Sequence, residues 1–144
     1  MGRILALDVG EKTIGIALSD ETATFAFPGR TIQRSEGYRK DMNTLRSLVE
    51  SESVEEIVVG MPLMMDGSKG IQAEKVEEFI AQLGRYVRIP IHTQDERLST
   101  AEADRLLIAA DRRRSERKQV IDSVAASVIL QTYLDIRKRR AAES

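Results

Sequence analysis

The segment RILALDVGEKTIGIALS, residues 3–19, decides the fold class. Its first half, Ile4-Leu5-Ala6-Leu7, is a continuous apolar run ending on Asp8, the pattern of a buried strand. Its second half alternates, with Ile14, Ile16 and Leu18 set against Thr13, Gly15, Ala17 and Ser19, the pattern of a half-buried strand. The link Val9-Gly10-Glu11-Lys12 is short enough to fold the two back on each other as an antiparallel hairpin.

Outward from this hairpin the period changes. Residues 24–33 read as a third strand, broken by Pro28-Gly29. Tyr38, Met42, Leu45 and Val49 then fall four, three and four apart, one face of a helix. Ile57-Val58-Val59 is a short β-branched strand, followed by a loop from Gly60 to Gly70. Val76, Phe79, Ile80 and Leu83 mark a helix that Gly84 stops, and a fifth strand begins at Ile89 and runs to about Asp95. Ser99 with Glu102 makes a capping box for a helix ending near Ala110, and a last helix spans about Gln119 to Arg137. The order β-β-β-α-β-α-β-α-α implies an α/β fold: a mixed sheet with parallel later strands and helices on its faces.

Composition narrows the chemistry. A chain of 144 residues suits one domain, here 1–138 with a basic, polar tail at 139–144. With no Cys, disulfides, thiolate metal sites and cysteine nucleophiles are all excluded. One histidine, His92, excludes any site that needs two imidazoles, and it reads as a strand residue rather than a catalyst. Apolar runs of a few residues fall far short of the roughly 20 needed to span a bilayer. No early stretch matches a signal-peptide core of about 7–15 apolar residues. A soluble, cytoplasmic protein without a membrane partner is expected.

The net charge of −1 conceals segregation. Residues 112–118, Arg-Arg-Arg-Ser-Glu-Arg-Lys, hold five cations and one acid, and Arg137-Lys138-Arg139-Arg140 form a second basic cluster. Such clusters can engage phosphate backbones locally, although a solvated loop and a frayed tail would look the same. Aromatics at 4% with no Trp make a broad base-stacking platform unexpected. Met61, Met64 and Met65 read as gap-filling or loop packing.

Ligands of open α/β sheets gather beyond the carboxyl ends of the parallel strands. Asp8 ends the first strand, the Gly60 loop follows the fourth, and Asp95-Glu96 end the fifth. If these strands are neighbours, the first and fifth stand roughly 10 Å apart, and a glutamate's longer arm helps close that gap. On the last helix, Asp122 shares a face with Ala125, Ala126, Ile129 and Tyr133, the face that should bury. An acid there is costly unless paired, hydrogen-bonded or bound to a cation, although a first-turn acid is also favoured by the helix dipole. Three acids on one edge, without His or Cys ligands, point to a hard-cation oxygen site for Mg²⁺ or Mn²⁺.

Four stretches carry a resemblance: LALDVGEKTIGIALSD at 5–20, VGMPLMMDGS at 59–68, DERLST at 95–100 and IDSVAA at 121–126. In that order, and over nearly the whole chain, they resemble the YqgF/RuvX family. That family is described as pre-16S rRNA nucleases and Holliday-junction-resolvase-like proteins of RNase H-like fold. The resemblance implies a five-stranded mixed sheet of order 3-2-1-4-5, with helices on both faces and the first strand beside the fourth. It also implies Asp8, Glu96 and Asp122 as catalytic and metal-binding residues, with Asp95 as a neighbouring ligand candidate. Lys12, Arg97, Arg112, Arg113 and Arg114 become candidates for nucleic-acid contact, and Gly60, Asp66, Gly67 and Ser68 form a loop at the site's edge. One departure is visible: where the family more often reads Pro-Leu-Asn-Met-Asp-Gly, this chain has Met64 at the Asn position.

The expected function is therefore metal-dependent hydrolysis of phosphodiester bonds in structured nucleic acid, most directly the 5′ end of pre-16S rRNA during ribosome biogenesis. Branched DNA is the alternative substrate, and the expected state is a monomer or weak dimer. Two other classes compete. Asp8, Gly10 and Gly15 also resemble the phosphate loop of actin-like ATPases, but 144 residues cannot supply the second lobe that encloses a nucleotide. A non-catalytic RNA-binding assembly factor on the same fold is the other, and the intact acids argue against it.

Overall fold

The continuous apolar run of the first strand places it at the centre of the sheet, with partners on both sides. The structure, a computed structural model, describes residues 2–98 and 114–143, with side chains in the last stretch described from Ile121. Strand β1 (Arg3–Val9) pairs antiparallel with β2 (Thr13–Ser19), in a register that sets Asp8 opposite Gly15. Gly10 N–H donates to the Thr13 carbonyl at 2.9 Å and closes the hairpin. Strand β3 (Ala26–Gln33) pairs antiparallel with β2 and forms one edge, where Pro28 and its missing donor are tolerated.

On the other side of β1 lie β4 (Val54–Met61) and then β5 (Ile91–Asp95), both parallel. The order is β3-β2-β1-β4-β5, the arrangement the resemblance implies. Helix α1 (Arg39–Ser51) precedes β4, α2 (Ile71–Leu83) precedes β5, and a single 3₁₀ turn (Glu96–Leu98) follows it. Helix α3 (Arg114–Glu143) closes the described chain.

Strand alternation divides the core. Leu5, Leu7, Ile57 and Val59 face α1 and α2, where they bury with Met42, Leu45, Phe79 and Leu83. Ile4, Ala6, Ala17 and Val58 face the other way and bury with Ala126, Leu130 and Leu134 of α3. Each fully buried Leu or Phe contributes about 1.5–3 kcal/mol, so both faces are covered and both hold.

Two elements run longer than periodicity indicates. Strand β4 starts at Val54, because Glu56 finds partners on α3 in the Tyr133 hydroxyl at 2.7 Å and Arg137 at 3.5 Å. Helix α3 begins before Gln119 and continues through 139–143, since no Gly or Pro interrupts a stretch rich in good helix formers. The capping box at Ser99 and Glu102, the helix expected after it, and Arg112 and Arg113 lie outside the described residues. Among the described residues no helix is long and apolar enough to cross a membrane.

Candidate active site

Asp8 sits on the α3 face of β1, in phase with Ile4 and Ala6, one residue before the strand ends. Its lateral neighbours on that face are both glycines. Gly15 of β2 is its direct register partner. Gly60 of β4 is next in line after the Leu7–Val59 pair. Each glycine admits another acid-bearing element.

A Cβ at Gly15 would collide with the backbone carbonyl of Asp122, so α3 touches the sheet backbone there. The buried small residues Ala125 and Ala126 on the following turn permit the close approach. The Asp122 carboxylate is then fixed by Thr13, whose hydroxyl donates to Oδ2 at 2.5 Å. Thr13 is buried and, like Gly15, faces α3. Asp122 lies more than two turns into α3, beyond the first turn where the helix dipole would favour an acid. That removes the dipole as the reason for its position.

At Gly60 the visitor is Glu96. A Cβ on Gly60 would stand 3.0 Å from Glu96 Oε1 and 2.6 Å from Ile129 Cδ1 of α3. The Glu96 side chain thus reaches back from the end of β5 over β4, and its carboxylate comes within about one strand spacing, roughly 4.8 Å, of the β1 track. The gap expected between first and fifth strands is narrowed in this way. Asp8, Glu96 and Asp122 are all half-buried on one face of one sheet edge.

Asp95 takes the other face. It lines a small cavity with Met61, Leu63 and Ile80 on the α2 side, and Arg97 holds it. Arg97 Nη2 meets Asp95 Oδ2 at 2.7 Å, its Nε lies 3.1 Å from both carboxylate oxygens, and its backbone N–H donates to Oδ1 at 2.9 Å. The guanidinium holds the Asp95 carboxyl below the usual carboxylate range, and the carboxylate in turn raises Arg97. Arg97 also donates to the Met65 carbonyl at 3.3 Å. Arg97, a candidate for nucleic-acid contact, thus pairs with Asp95 and ties the end of β5 to the loop while remaining exposed.

The loop after β4 is built from its backbone. Met64 N–H donates to the Ser68 carbonyl at 2.9 Å, and Gly67 N–H to the Met64 carbonyl at 2.8 Å, with Gly67 at φ +89°. Asp66 accepts from the Ser68 hydroxyl and N–H, which lowers its pKa. Met61 packs in the core as expected of a gap filler, but Met64 and Met65 are exposed. Lys12 is exposed on the hairpin link, where it borders a cleft of about 890 Å³ with Arg34 and Lys75 on the α1–α2 side of the sheet. His92, on β5, stacks on Tyr133 with ring centroids 6.1 Å apart.

Among the described residues, no three Asp, Glu, His or Cys side chains are gathered tightly enough to ligate one ion as they stand. The donor chemistry still fits a hard divalent cation: three carboxylates, no nitrogen or sulfur, with Glu96 and Asp122 flanking Asp8. Sequence reasoning missed Thr13 as the group that orients Asp122. The signal was a hydroxyl at an inward position of β2, in phase with Gly15.

Comparison with known proteins agrees with this architecture. A relative from Desulforamulus reducens, named "Putative pre-16S rRNA nuclease", is 51% identical over 133 residues, 92% of this chain and 96% of the relative. One of the same name from Moorella thermoacetica is 50% identical over 92% of this chain and 94% of its own length. Among solved structures, Thermus thermophilus RuvC in complex with a Holliday junction substrate shares the fold. Its TM-score is 0.56 at 14% identity, covering 93% of this chain and 96% of that one. The family model described as "RuvX: Holliday junction resolvase" matches residues 2–136, which contain the β1 acid, both glycines and the acid of α3. This chain belongs to the RuvX family.

Proposed function

We propose that this protein is a metal-dependent nuclease that hydrolyses phosphodiester bonds in structured nucleic acid, with precursor 16S rRNA as its substrate and the cytoplasm as its compartment. The observation that carries the reading is the pair of glycines beside Asp8, which let Asp122 and Glu96 reach the same sheet edge from opposite sides. The names of the relatives favour ribosomal RNA as the substrate.

Asp8 and Asp122 would hold Mg²⁺ or Mn²⁺, and Glu96 would complete the site or orient the attacking water. Such an ion supplies Lewis-acid stabilisation of phosphoryl oxygens and a more acidic water when bound. The chain's own part is positional. The central strand immobilises Asp8, the Thr13 hydroxyl keeps Asp122 in one rotamer, and the lack of a side chain at Gly60 leaves the Glu96 carboxylate its place.

The description of the matching family favours branched DNA as a second reading of the substrate. Labelled precursor rRNA, single-stranded RNA and a four-way DNA junction, incubated side by side with each metal, separate the two. Metal-dependent cutting of precursor rRNA with the junction intact supports the first reading. Cutting of the junction alone supports the second. No cutting of any substrate by protein that melts normally sinks both.

A further inference from the structure

The link between the first two strands is held from outside. Val9-Gly10-Glu11-Lys12 joins Asp8 on β1 to Thr13 on β2, and the Thr13 hydroxyl fixes Asp122. The β1–β2 register ends at the Val9–Ile14 pair, so Thr13 lies just beyond it. The placement of Thr13 therefore depends on the link and on β3, where it pairs with Gln33. Arg34, the next residue, grips the link at two points. Its backbone N–H donates to the Lys12 carbonyl and its Nη1 to the Gly10 carbonyl, both at 2.8 Å. The half-buried guanidinium lies over the Phe79 ring of α2, 5.5 Å from the centroid. A planar fork held between an aromatic face and a carbonyl has few other placements. Arg34 is itself anchored one residue on. The Ser35 N–H donates to both carboxylate oxygens of Asp41, at 3.2 and 3.1 Å, and Asp41 in the first turn of α1 is only 3% exposed. Lys75 of α2 also meets the link, at Glu11, but both partners of that pair are exposed and such pairs hold little. Arg34 is the stronger tether.

We propose that Arg34 is a positioning residue for the acidic edge: by fixing the Gly10–Lys12 link it sets the Thr13 hydroxyl, and through that hydroxyl the Asp122 carboxylate. The inference rests on the nuclease reading for its consequence, which is metal affinity, whereas the grip on the link is a property of the fold. Arg34 lies on the opposite face of the sheet from Asp8 and Asp122, over Phe79 in the cleft that Lys12 and Tyr38 border. It therefore acts through the link and not on the reacting atoms. Small displacements of a ligand by residues far from the chemistry are enough to weaken a site. The competing role, a cation for a phosphate lying in that cleft, predicts a different pattern of losses.

Two variants test the proposal. Arg34→Met keeps an unbranched stem against Phe79 and deletes the side-chain donors, while Arg34→Lys keeps a charged donor for the Gly10 carbonyl. Three quantities are read on each: amide exchange at Gly10 in metal-free protein, with Leu7 of the central strand as the internal reference; apparent Mn²⁺ affinity, from the metal-dependent rise in melting temperature; and metal-free affinity for a short RNA hairpin. In Arg34→Met, exchange at Gly10 is expected to quicken more than exchange at Leu7. Mn²⁺ affinity should fall about tenfold, the low end for groups that act through a ligand's hydrogen-bond partner, and hairpin affinity should stay at the wild-type value. Arg34→Lys should recover most of the Mn²⁺ affinity. Equal quickening at Gly10 and Leu7 with Mn²⁺ affinity unchanged reduces Arg34 to general stability and overturns the proposal. Loss of hairpin affinity at unchanged Mn²⁺ affinity, the pattern of a phosphate cation, overturns it as well. Should Arg34→Met fail to fold, Arg34→Gln, with a shorter neutral donor, carries the same three readings. Absence of any Mn²⁺-induced rise in wild type would sink the nuclease reading instead, and exchange at Gly10 would then decide whether Arg34 holds the link.

Discussion

The backbone carbonyl of Asp122 rests on Gly15, in the space that any side chain on β2 would fill. The contact sets how closely α3 lies on the sheet, and so where the Asp122 carboxylate arrives relative to Asp8. Gly15→Ala must push the helix away or distort the strand, because the atoms it would strike are backbone and cannot rotate aside. Overpacking of this kind costs about 1–3 kcal/mol. Urea unfolding of Gly15→Ala should show a loss in that range, and cleavage should fall by more than the loss of folded protein accounts for. Wild-type stability in this variant would mean that α3 does not dock as closely as described.

Thr13→Val keeps shape while deleting the hydroxyl that holds Asp122 at 2.5 Å. A hydrogen bond to a charged group contributes about 1.5–3 kcal/mol, so the apo protein should be destabilised by roughly that amount. If Asp122 is a metal ligand, the apparent metal affinity of Thr13→Val should weaken too, because the carboxylate is no longer oriented. Thr13→Ser, which restores the donor, should recover both. Recovery of stability without recovery of metal affinity would reduce Thr13 to a structural role.

Tyr133 gives a pH-dependent signal. Burial, then its hydrogen bond to Glu56 and that carboxylate's charge, push the phenol up to about 12. The folded state therefore keeps this proton at pH values where the unfolded chain has begun to lose it. The resulting stability is fully present below about pH 10 and is lost as pH rises through about 12. Absorbance titration at the tyrosinate band should show a late component near pH 12 that Tyr133→Phe abolishes. A wild-type curve unchanged by the substitution up to that pH would place Tyr133 elsewhere than against Glu56.

How far the sequence could be read depended on whether a feature is periodic. The hairpin 3–19 announces itself because its two halves have different burial and a short link. The acids at Asp8 and Glu96 are visible because strand ends are visible. Strand adjacency is not periodic, and the order β3-β2-β1-β4-β5 came from family resemblance alone. The ends of α3 were illegible for a related reason: its charged extensions carry helix propensity without an apolar stripe. For Arg97 the sequence left phosphate contact and a surface salt bridge equally open, because bidentate capture of Asp95 two positions back leaves no mark in composition. Met64 and Met65 looked like packing because thioethers usually pack, yet both are exposed on the loop after β4. Thr13 needed the register of β2 against α3, a contact across 109 residues.

Asp8 is the residue on which the proposed chemistry depends most. It is held by the central strand, half-buried, with Glu96 and Asp122 brought in on either side. Three carboxylates at one edge repel one another, and a bound divalent cation relieves that repulsion. Binding to the folded state alone should stabilise it by about 2.7 kcal/mol at a hundred times the Kd. Mg²⁺ or Mn²⁺ is therefore expected to raise the wild-type melting temperature and to support cleavage. Asp8→Asn preserves volume and removes one charge, so it should melt at or slightly above the wild-type temperature without metal. With metal it should show little further rise, bind RNA as wild type does, and cut nothing. A metal-induced rise in Asp8→Asn equal to that of wild type would move the ion away from β1. Retained metal-dependent cleavage by the variant, freed of contaminating nuclease, would move the chemistry with it.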